Sequence, residues 1–407
     1  MKQIIYLYIQ IPDRNEFTVL GRLSVENGKG EFTYSPNYPI DWVPDEIFYP
    51  LVRGKTYLVR ENKGVPNFIM DIVPDAWGQS VLRRIFAKEK DTNWSVIDYL
   101  HYSNNADRFG ALCVGSIRKV TQKAVTENFQ NFVKLDEFLD FANAIRTGEE
   151  IKKINLALAQ TTSLGGARPK ITLYDDKKLY LAKPKDIHDP VNIPRVEYAC
   201  LSFAKKKGFN VVNHKLLSIQ HHGRPKDILI LERFDRKYDE ATGRFIRYPM
   251  LSGLTLLHAE WSTTDHSRWS YPLLANEMHR KKIAIKDIHE LYKRMLFNAL
   301  IGNDDDHLKN HAFIYRYGSW HLAPLYDVVP QVAYKPQTLT MMIGTYGNKI
   351  SRENLLSSSA HFKISTQDAE NMLDETLGWK DELKEHYREH LTKSDFEHIW
   401  NLIPDIL

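Results

Sequence analysis

The amino-acid sequence predicts an α+β protein with a β-rich N-terminal domain, a mixed middle lobe and a mostly α-helical C-terminal lobe. Short alternating apolar runs, typical of half-buried strands, open the chain in "IIYLYIQI", "FTVLGRLSV" and "KGEFTYS". Helical and strand-like runs alternate over 133–250, and helical spacing prevails over 251–407. A length of 407 residues allows two or three such domains.

The composition is that of an ordinary globular protein, with 43% hydrophobic and 26% charged residues. A net charge of +4 is too balanced to indicate nucleic-acid binding by itself. The two cysteines, Cys113 and Cys200, form no disulfide framework and fit a reducing compartment. The N-terminus lacks a signal-peptide cleavage site, and no apolar stretch is long enough to span a membrane. We therefore expect a cytoplasmic protein.

The N-terminal domain is predicted to occupy residues 1–117. Its first strands are joined by a turn at Asn27-Gly28, a pair that favours tight hairpins. A helix follows in "DAWGQSVLRRIFAKEK" (75–90) and an apolar strand in "RFGALCVG" (108–115). The polar stretch 118–131 is the best candidate for a linker to the next lobe.

The middle lobe is predicted over 133–250. It opens with the amphipathic helix "LDEFLDFANAIRTG", ended by a glycine, and continues with the strands "ITLYD" and "KLYLAK". A second helix, 196–207, is closed by Gly208, and "DILILERF" (227–234) is a candidate buried strand.

The C-terminal lobe, 251–407, contains the longest helical pattern, 283–302, whose last residue Gly302 can end it in the left-handed conformation. The acidic stretch "IGNDDDHLKN" follows at once. Two strand-like runs, "HAFIYRY" and "WHLAPLYD", are then joined by a tight turn at Gly318-Ser319. The acidic loop is thus predicted between a buried helix and a hairpin.

Three polar residues around that hairpin have the spacing of a phosphoryl-transfer site. Asn310 comes five residues after Asp305, and Asp327 follows the hairpin, an order known from protein kinases. Asp305 would orient the attacking hydroxyl, while Asn310 and Asp327 would supply the oxygen ligands that Mg²⁺ prefers. Lys309 would stabilise charge on the transferred phosphate.

Other interpretations of the same residues remain open. A solvated acidic loop with a structural His307 is the simplest, and a zinc site at His307 is weaker because no second ligand stands at a suitable spacing. In the middle lobe, the pair Gly165-Gly166 allows backbone to approach phosphates but is more often a plain turn. Strand-end Lys183 suits a phosphate-binding lysine, and Glu197 on the next helix is a candidate partner for it.

The motifs "SLGGARPK", "YLAKP", "LERFDR", "GNDDDHLKN" and "LAPLYDVVP" together resemble the HipA-type serine/threonine kinases of bacterial toxin–antitoxin systems. "IVPDAWG" and "DRFGALCVG" resemble the amino-terminal domain of that family, so the resemblance covers nearly the whole chain. It implies a protein-kinase-like middle lobe and the use of ATP and Mg²⁺. It also implies that Asp305 is the catalytic aspartate and that Asn310 and Asp327 are Mg²⁺ ligands. For the nucleotide, it implies Lys183 as the ATP lysine, Gly165, Gly166 and Lys309 near the phosphates, and Glu232 and Phe234 beside adenine. It implies Ser163 as the autophosphorylated serine.

The resemblance further implies a growth-arresting toxin. Some family members phosphorylate an aminoacyl-tRNA synthetase, and most are neutralised by a small helix-turn-helix antitoxin (HipB-like) that itself binds operator DNA. Two rival functions fit the same residues: a catalytically silent corepressor that acts only with the antitoxin, and a small-molecule phosphotransferase, because a fold does not determine a substrate.

Overall fold

The computed structural model describes residues 2–11, 15–40, 49–87, 93–127, 129–149, 166–262 and 264–406. The chain forms two compact units. The first comprises Met1–Ile187, His221–Gly223 and Ile230–Met250, and the second comprises His188–Gln220, Arg224–Leu229 and Leu251–Leu407. Both contain helices and strands, which confirms the α+β class, while the division into three domains stays a prediction. Among the described helices, none has the length and apolarity that crossing a membrane requires.

A five-stranded antiparallel sheet opens the first unit, in the order β4-β3-β2-β1-β5. Its strands are β1 (Gln3–Gln10), β2 (Phe17–Glu26), β3 (Lys29–Tyr34), β4 (Thr56–Val59) and β5 (Leu112–Gly115). The predicted turn at Asn27-Gly28 is confirmed, because both residues have positive φ, 51° and 75°, as a two-residue hairpin turn requires. The strand predicted over 108–115 is shorter than expected, since Arg108 belongs to a buried charge network instead.

The helices of the first unit are α1 (Asn67–Met70), α2 (Ala76–Ile85), α3 (Val96–Tyr102), α4 (Gln122–Val125) and α5 (Leu135–Thr147). The helix predicted over 75–90 ends early, because Phe86 leaves the helical conformation and packs its ring on Tyr102. The predicted linker also contains structure, since Thr121 caps α4. Gly148 ends α5 with φ 74°, as expected.

Short strands complete the first unit. β6 (Gln130–Asn131) pairs in parallel with β7 (Ile171–Asp175), which pairs antiparallel with β8 (Lys178–Pro184). Along the chain, β9 (His214–His221) and β10 (Arg224–Glu232) follow, and most residues of both strands belong to the second unit, while His221 and the last three residues of β10 belong to the first. β11 (Arg236–Asp239) and β12 (Arg244–Arg247) form an antiparallel ribbon. The predicted strands "ITLYD", "KLYLAK" and "DILILERF" are thereby confirmed to within a few residues.

A buried charge network stabilises the first unit. Asp235 accepts hydrogen bonds from Arg233 at 2.8 Å and from Arg236 at 2.5 Å, and Arg233 also lies 3.2 Å from Asp107. Arg108 donates to backbone carbonyls. We call these five residues the arginine–aspartate network. Each charge in it has a partner, the condition under which buried charges are tolerated.

The second unit is mostly helical, as predicted. Its helices are α6 (Ile193–Lys206), α7 (Gly253–Leu256), α8 (Tyr271–Arg280), α9 (Ile285–Ile301), α10 (Arg352–Ser357), α11 (Thr366–Gly378), α12 (Lys380–His390) and α13 (Lys393–Trp400). After β13 (Met250–Ser252), the hairpin strands are β14 (Ala312–Arg316) and β15 (Ser319–Leu322). The hairpin turn is Tyr317-Gly318, with φ 53° and 77°, one residue earlier than expected. α6 begins earlier than predicted because Asn192 caps its first turn.

Candidate active site

Helix α9 leads directly into the acidic loop 302–311. Its inner face is buried as the periodicity predicts, at Ile288, Leu291, Met295, Leu296, Ala299 and Leu300. The helix ends at Gly302, whose φ is 71°. A side chain there would meet Pro404 at 2.8 Å and Pro336 at 3.0 Å, so both the backbone conformation and the packing require glycine. The start of the loop is therefore set by close packing.

The first aspartate of the loop is used to hold the loop in place. Asp304 accepts hydrogen bonds from Gln331 at 2.9 Å and from the Tyr334 hydroxyl at 2.6 Å. Its backbone carbonyl accepts from the Thr340 hydroxyl. These bonds fasten the acidic loop to the segment that follows the hairpin.

The third aspartate, Asp306, points into the protein and is only 1% exposed. Its Oδ1 accepts a hydrogen bond from the Thr340 amide at 2.7 Å. Burial raises the pKa of Asp306 to about 7, and hydrogen bonds, first among them that of Tyr271, oppose this rise. The Nε2–H of His311 donates to the Asp306 backbone carbonyl, 3.2 Å away. Burial lowers the pKa of His311 to about 3, so this histidine is a neutral part of the core.

The middle aspartate, Asp305, faces solvent with 83% of its side chain exposed. Its backbone carbonyl accepts a hydrogen bond from the Asn310 side-chain amide at 2.7 Å. His307 lies 3.6 Å from the carboxylate. Among the three consecutive aspartates, Asp305 is thus the one whose carboxylate can reach a hydroxyl group on another molecule.

Asn310 is held by a short turn, 308–310, anchored by the fully buried Leu308. Because its amide nitrogen donates to the Asp305 carbonyl, its amide oxygen points away from that bond. An oxygen in this position suits a hard cation such as Mg²⁺. The predicted pair Asp305 and Asn310 is therefore joined by a direct hydrogen bond.

Asp327 has an unusual backbone. Its φ is 57°, a conformation that non-glycine residues seldom adopt and that often marks functional sites. Its N–H donates to Oε1 of Glu197 at 3.2 Å, and Glu197 is buried on α6. The predicted carboxylate ligand Asp327 is thus oriented by a bond from its backbone N–H to the buried carboxylate of Glu197. Both oxygen donors, Asn310 and Asp327, have the chemistry that Mg²⁺ requires.

Lys309 lies over the ring of Trp261, with Nζ 5.0 Å from the ring centroid. Its carbonyl accepts from the Tyr326 hydroxyl at 3.0 Å. The edge of the same indole meets His307 at 4.9 Å. Trp261 therefore contacts two residues of the acidic loop, Lys309 and His307.

The predicted nucleotide-binding residues belong to the first unit. Lys183 is the last residue but one of β8 and is almost fully buried. Glu232 ends β10 and pairs with Lys178 at 3.0 Å, and Phe234 follows it. Gly166 has φ 101° and its N–H donates to Asp75 at 2.8 Å. Ser163 and Gly165 lie outside the described residues. The nucleotide-binding roles of all these residues stay predictions.

Sequence reasoning missed three features of the site. Trp261 carries no motif and stands far from Lys309 in sequence, although an aromatic residue in a polar segment is a weak signal. The contrast between Asp304, Asp305 and Asp306 left no signal at all, because three identical residues in a row have no distinguishing pattern. The sequence indicates Glu197 only as a partner for Lys183, whereas in the structure its carboxylate accepts a hydrogen bond from the Asp327 amide.

The chain is similar to several known proteins. Residues 162–382 match the profile of the HipA-like C-terminal domain. A candidate kinase of Haemophilus influenzae is 26% identical over 43% of this chain and 54% of its own length. The candidate kinase Y4dM of Sinorhizobium fredii is 24% identical over 35% of each chain. The chain thus spans about half the length, or less, of these curated relatives.

A solved structure shares the fold over nearly the whole chain. It is the complex of HipA, HipB and operator DNA from the toxin–antitoxin system of Shewanella oneidensis MR-1. The matched chain is 17% identical with a TM-score of 0.67, and the match covers 98% of this chain and 94% of that one. At this identity the similarity concerns the fold.

Proposed function

The chain belongs to the family of HipA-like C-terminal domains, and from that membership we propose that it is an ATP- and Mg²⁺-dependent serine/threonine protein kinase. The observation that carries the proposal is the arrangement in the second unit. The backbone carbonyl of the exposed Asp305 accepts a hydrogen bond from the Asn310 amide. Asp327 has a left-handed backbone conformation, and its N–H donates to the Glu197 carboxylate. An exposed carboxylate together with oxygen ligands for Mg²⁺ is what phosphoryl transfer to a hydroxyl requires.

Each residue of this arrangement has a role in the proposal. Asp305 accepts a hydrogen bond from the serine or threonine hydroxyl and orients its oxygen for attack. Asn310 and Asp327 hold Mg²⁺, which, when bound with ATP, offsets the charge of the phosphates. Lys309, kept over Trp261, supplies positive charge for the transferred group.

The nucleotide contacts are proposed for the first unit. Lys183 pairs with the phosphates, Gly165 and Gly166 offer backbone amides to them, and Glu232 and Phe234 contact the adenine. Family membership and the strand-end position of Lys183 support these roles.

Autophosphorylation at Ser163 is proposed as a self-inhibiting reaction. A phosphate there would add about −1.5 to −2 charges within the predicted phosphate loop and would repel ATP. Phosphosite mapping after incubation with Mg²⁺-ATP, combined with ATP affinity before and after, tests this. Phosphate confined to Thr161 or Thr162, or an unchanged ATP affinity, would contradict it.

The proposed biological role is the toxin of a type II toxin–antitoxin module. The support is the shared fold with a chain from a complex of HipA, HipB and operator DNA. We accordingly propose a HipB-like helix-turn-helix antitoxin as partner, with operator DNA contacted mainly through it. The proposed substrate is a translation component such as an aminoacyl-tRNA synthetase, and phosphoproteomes of cells with and without expression would identify it.

The decisive experiment compares two neighbouring aspartates. Asp305→Asn should reduce phosphoryl transfer by roughly a hundredfold or more, the contribution of a general base, while leaving the fold intact because the side chain is exposed. Asp304→Asn keeps an acceptor oxygen for Gln331 and gains an amide that can donate to the Tyr334 hydroxyl, so it should keep near wild-type turnover. Wild-type turnover in purified Asp305→Asn would overturn the proposed function.

A second measurement tests the metal ligands. Asp327→Ala should remove the Mg²⁺-dependent part of the thermal stabilisation by ATP, since ligand stabilisation follows mass action. Equal protection of this variant and the wild type by Mg²⁺-ATP would show that Asp327 is not a ligand.

A further inference from the structure

Four residues of the first unit bring histidine and carboxylate groups together away from the acidic loop. Asp136 and Asp140 stand four residues apart on α5 and so share one face of the helix. His221 and His222 lie at a tight turn in which His222 has φ 49° and Gly223 has φ 72°. The two imidazole rings lie 4.1 Å apart. We call Asp136, Asp140, His221 and His222 the His–Asp cluster.

The spacing within the cluster is that of metal ligands. Oδ1 of Asp140 lies 2.8 Å from Nε2 of His222 and 3.2 Å from Nε2 of His221. Ligand atoms of Asp140, His221 and His222 all lie within 4.8 Å of one another. Tetrahedral Zn²⁺ with bonds of about 2.0–2.1 Å places its ligand atoms roughly 3.3 Å apart. Small adjustments would therefore let the three side chains share one ion.

His221 provides the second, independent observation. Its side chain is only 4% exposed, and its Nδ1 lies 3.2 Å from Oδ1 of Asp136 in a hydrogen bond. A neutral imidazole that donates from Nδ1 presents a lone pair at Nε2. That Nε2 is buried and has no hydrogen-bond partner among the described residues, although the carboxylate of Asp140 lies beside it. Two electron-rich atoms that face each other repel unless a proton or a metal ion lies between them.

We propose that the His–Asp cluster binds a divalent transition-metal ion of the Zn²⁺ class. His221 and His222 bind through Nε2 and Asp140 through its carboxylate, with water completing the tetrahedron. Asp136 accepts from Nδ1 of His221 and so selects the tautomer that ligates, a common role for carboxylates beside zinc-binding histidines. The ion would tie the turn at 221–223 to α5. This site does not depend on the kinase proposal.

A second group of possible ligands, on α12, serves as the comparison. His386, Glu389 and His390 also lie within 4.8 Å. There, Nε2 of His386 is bonded to the Ala199 carbonyl at 3.1 Å, and Nδ1 of His390 to the His386 carbonyl at 3.0 Å. His386 and His390 are half-buried and Glu389 is exposed, whereas His221 is buried and its Nε2 lacks a hydrogen-bond partner among the described residues. We therefore expect the His–Asp cluster to be the tighter site.

The test uses the full-length, tag-free chain stripped of metal with a chelator. Zn²⁺ is titrated in competition with a chromophoric chelator, and Co²⁺ is then added as a spectroscopic probe. We expect one tight equivalent of Zn²⁺ and the intense visible absorption of tetrahedral Co²⁺. His222→Asn, chosen because asparagine tolerates a positive φ, and Asp140→Asn on the exposed face of α5 should each abolish both signals.

Two further variants distinguish a specific Zn²⁺ site at the His–Asp cluster from nonspecific Zn²⁺ binding elsewhere on the surface. Asp136→Asn should weaken Zn²⁺ binding by roughly 10–100-fold, the usual effect of removing the carboxylate behind a ligating histidine. His390→Ala should leave the tight equivalent unchanged. Failure of the wild type to bind, as expected if a proton alone bridges His221 and Asp140, would overturn the proposal, as would loss of binding in His390→Ala alone. Asp327→Ala should bind Zn²⁺ normally, so failure here is distinguishable from failure of the Mg²⁺ assignment.

Discussion

Two buried aspartates, one in each unit, have opposite electrostatic environments. At Asp235 in the arginine–aspartate network, burial raises the pKa, but the adjacent Arg233 and Arg236 outweigh burial and hold the pKa well below its usual range. At Asp306 in the acidic loop, burial dominates and raises the pKa to about 7, because the groups that oppose it are neutral hydrogen-bond donors. The first carboxylate is permanently charged, whereas the second changes charge near neutral pH.

The difference separates scaffold from site. A buried charge that has partners on every side holds two segments together, and its charge state stays constant as the pH changes. A buried carboxyl without a cation beside it makes the stability of the loop depend on pH, and it lies next to the exposed Asp305 on which the proposed chemistry depends. The four predictions below probe this contrast, from the largest expected effect to the smallest.

Removing the charge of Asp235 should have the largest effect. Asp235→Asn removes the carboxylate that pairs with Arg236 and leaves Arg233 with Asp107 alone, and breaking such a buried pair costs about 3–5 kcal/mol in the free energy of unfolding. Urea unfolding followed by circular dichroism measures it. Asp175→Asn, at the exposed end of β7, is the control and should stay within about 0.5 kcal/mol of wild type. A loss below about 1 kcal/mol in Asp235→Asn would contradict the structural role of the network.

Removing the charge of Asp306 should change the pH profile. The folded-state pKa of about 7 lies above the ordinary value of 3.8, so the folded protein binds the extra proton between these two values. This contribution to stability is fully present below about pH 4 and is lost as pH rises through 7, by up to about 1.4 kcal/mol per pH unit.

Asparagine cannot titrate, so the stability of Asp306→Asn relative to wild type should rise between pH 4 and 7 and level off above pH 8. Urea unfolding at a series of pH values tests this. Parallel profiles for the two proteins would show that Asp306 is not protonated in the folded state.

Glu197 should have an intermediate effect, because it orients Asp327. Glu197→Ala removes the acceptor of the Asp327 N–H and should lower stability by roughly 1–3 kcal/mol. The Mg²⁺-dependent protection by ATP should fall with it. Glu197→Gln keeps an acceptor oxygen and should recover part of that protection. If the alanine variant retains full protection, Asp327 is positioned by other contacts.

Trp261 should have the smallest effect. Trp261→Leu removes the aromatic face under Lys309, an interaction worth about 0.5–1 kcal/mol at an exposed site. If that energy positions Lys309 for transfer, kcat should fall roughly two- to fivefold with little change in thermal stability. Trp261→Phe keeps a ring and should lie closer to wild type. An unchanged kcat in the leucine variant would show that the indole of Trp261 does not position Lys309 for phosphoryl transfer.

Much of the site was predictable because its signals are local. The helix before the acidic loop has strong apolar periodicity, Gly302 ends it, and the hairpin has alternating strands, so the order helix, loop and hairpin could be derived. The bond between Asp305 and Asn310 spans only five residues. The exact helix ends were less predictable, as at Ile85 and Ile193, since they depend on a ring contact and on a capping side chain.

The sequence by itself determined the α+β class, the glycine-ended helices, the turn at Asn27-Gly28, the family resemblance and the candidate residues of the loop. Only the tertiary structure decided which aspartate of the run faces solvent, why Asp327 has a positive φ, and that His221 meets Asp140. The reason is physical. Periodicity and turn propensity act between neighbours in the chain, whereas burial and pKa depend on groups that folding brings from distant segments, such as Thr340 beside Asp306.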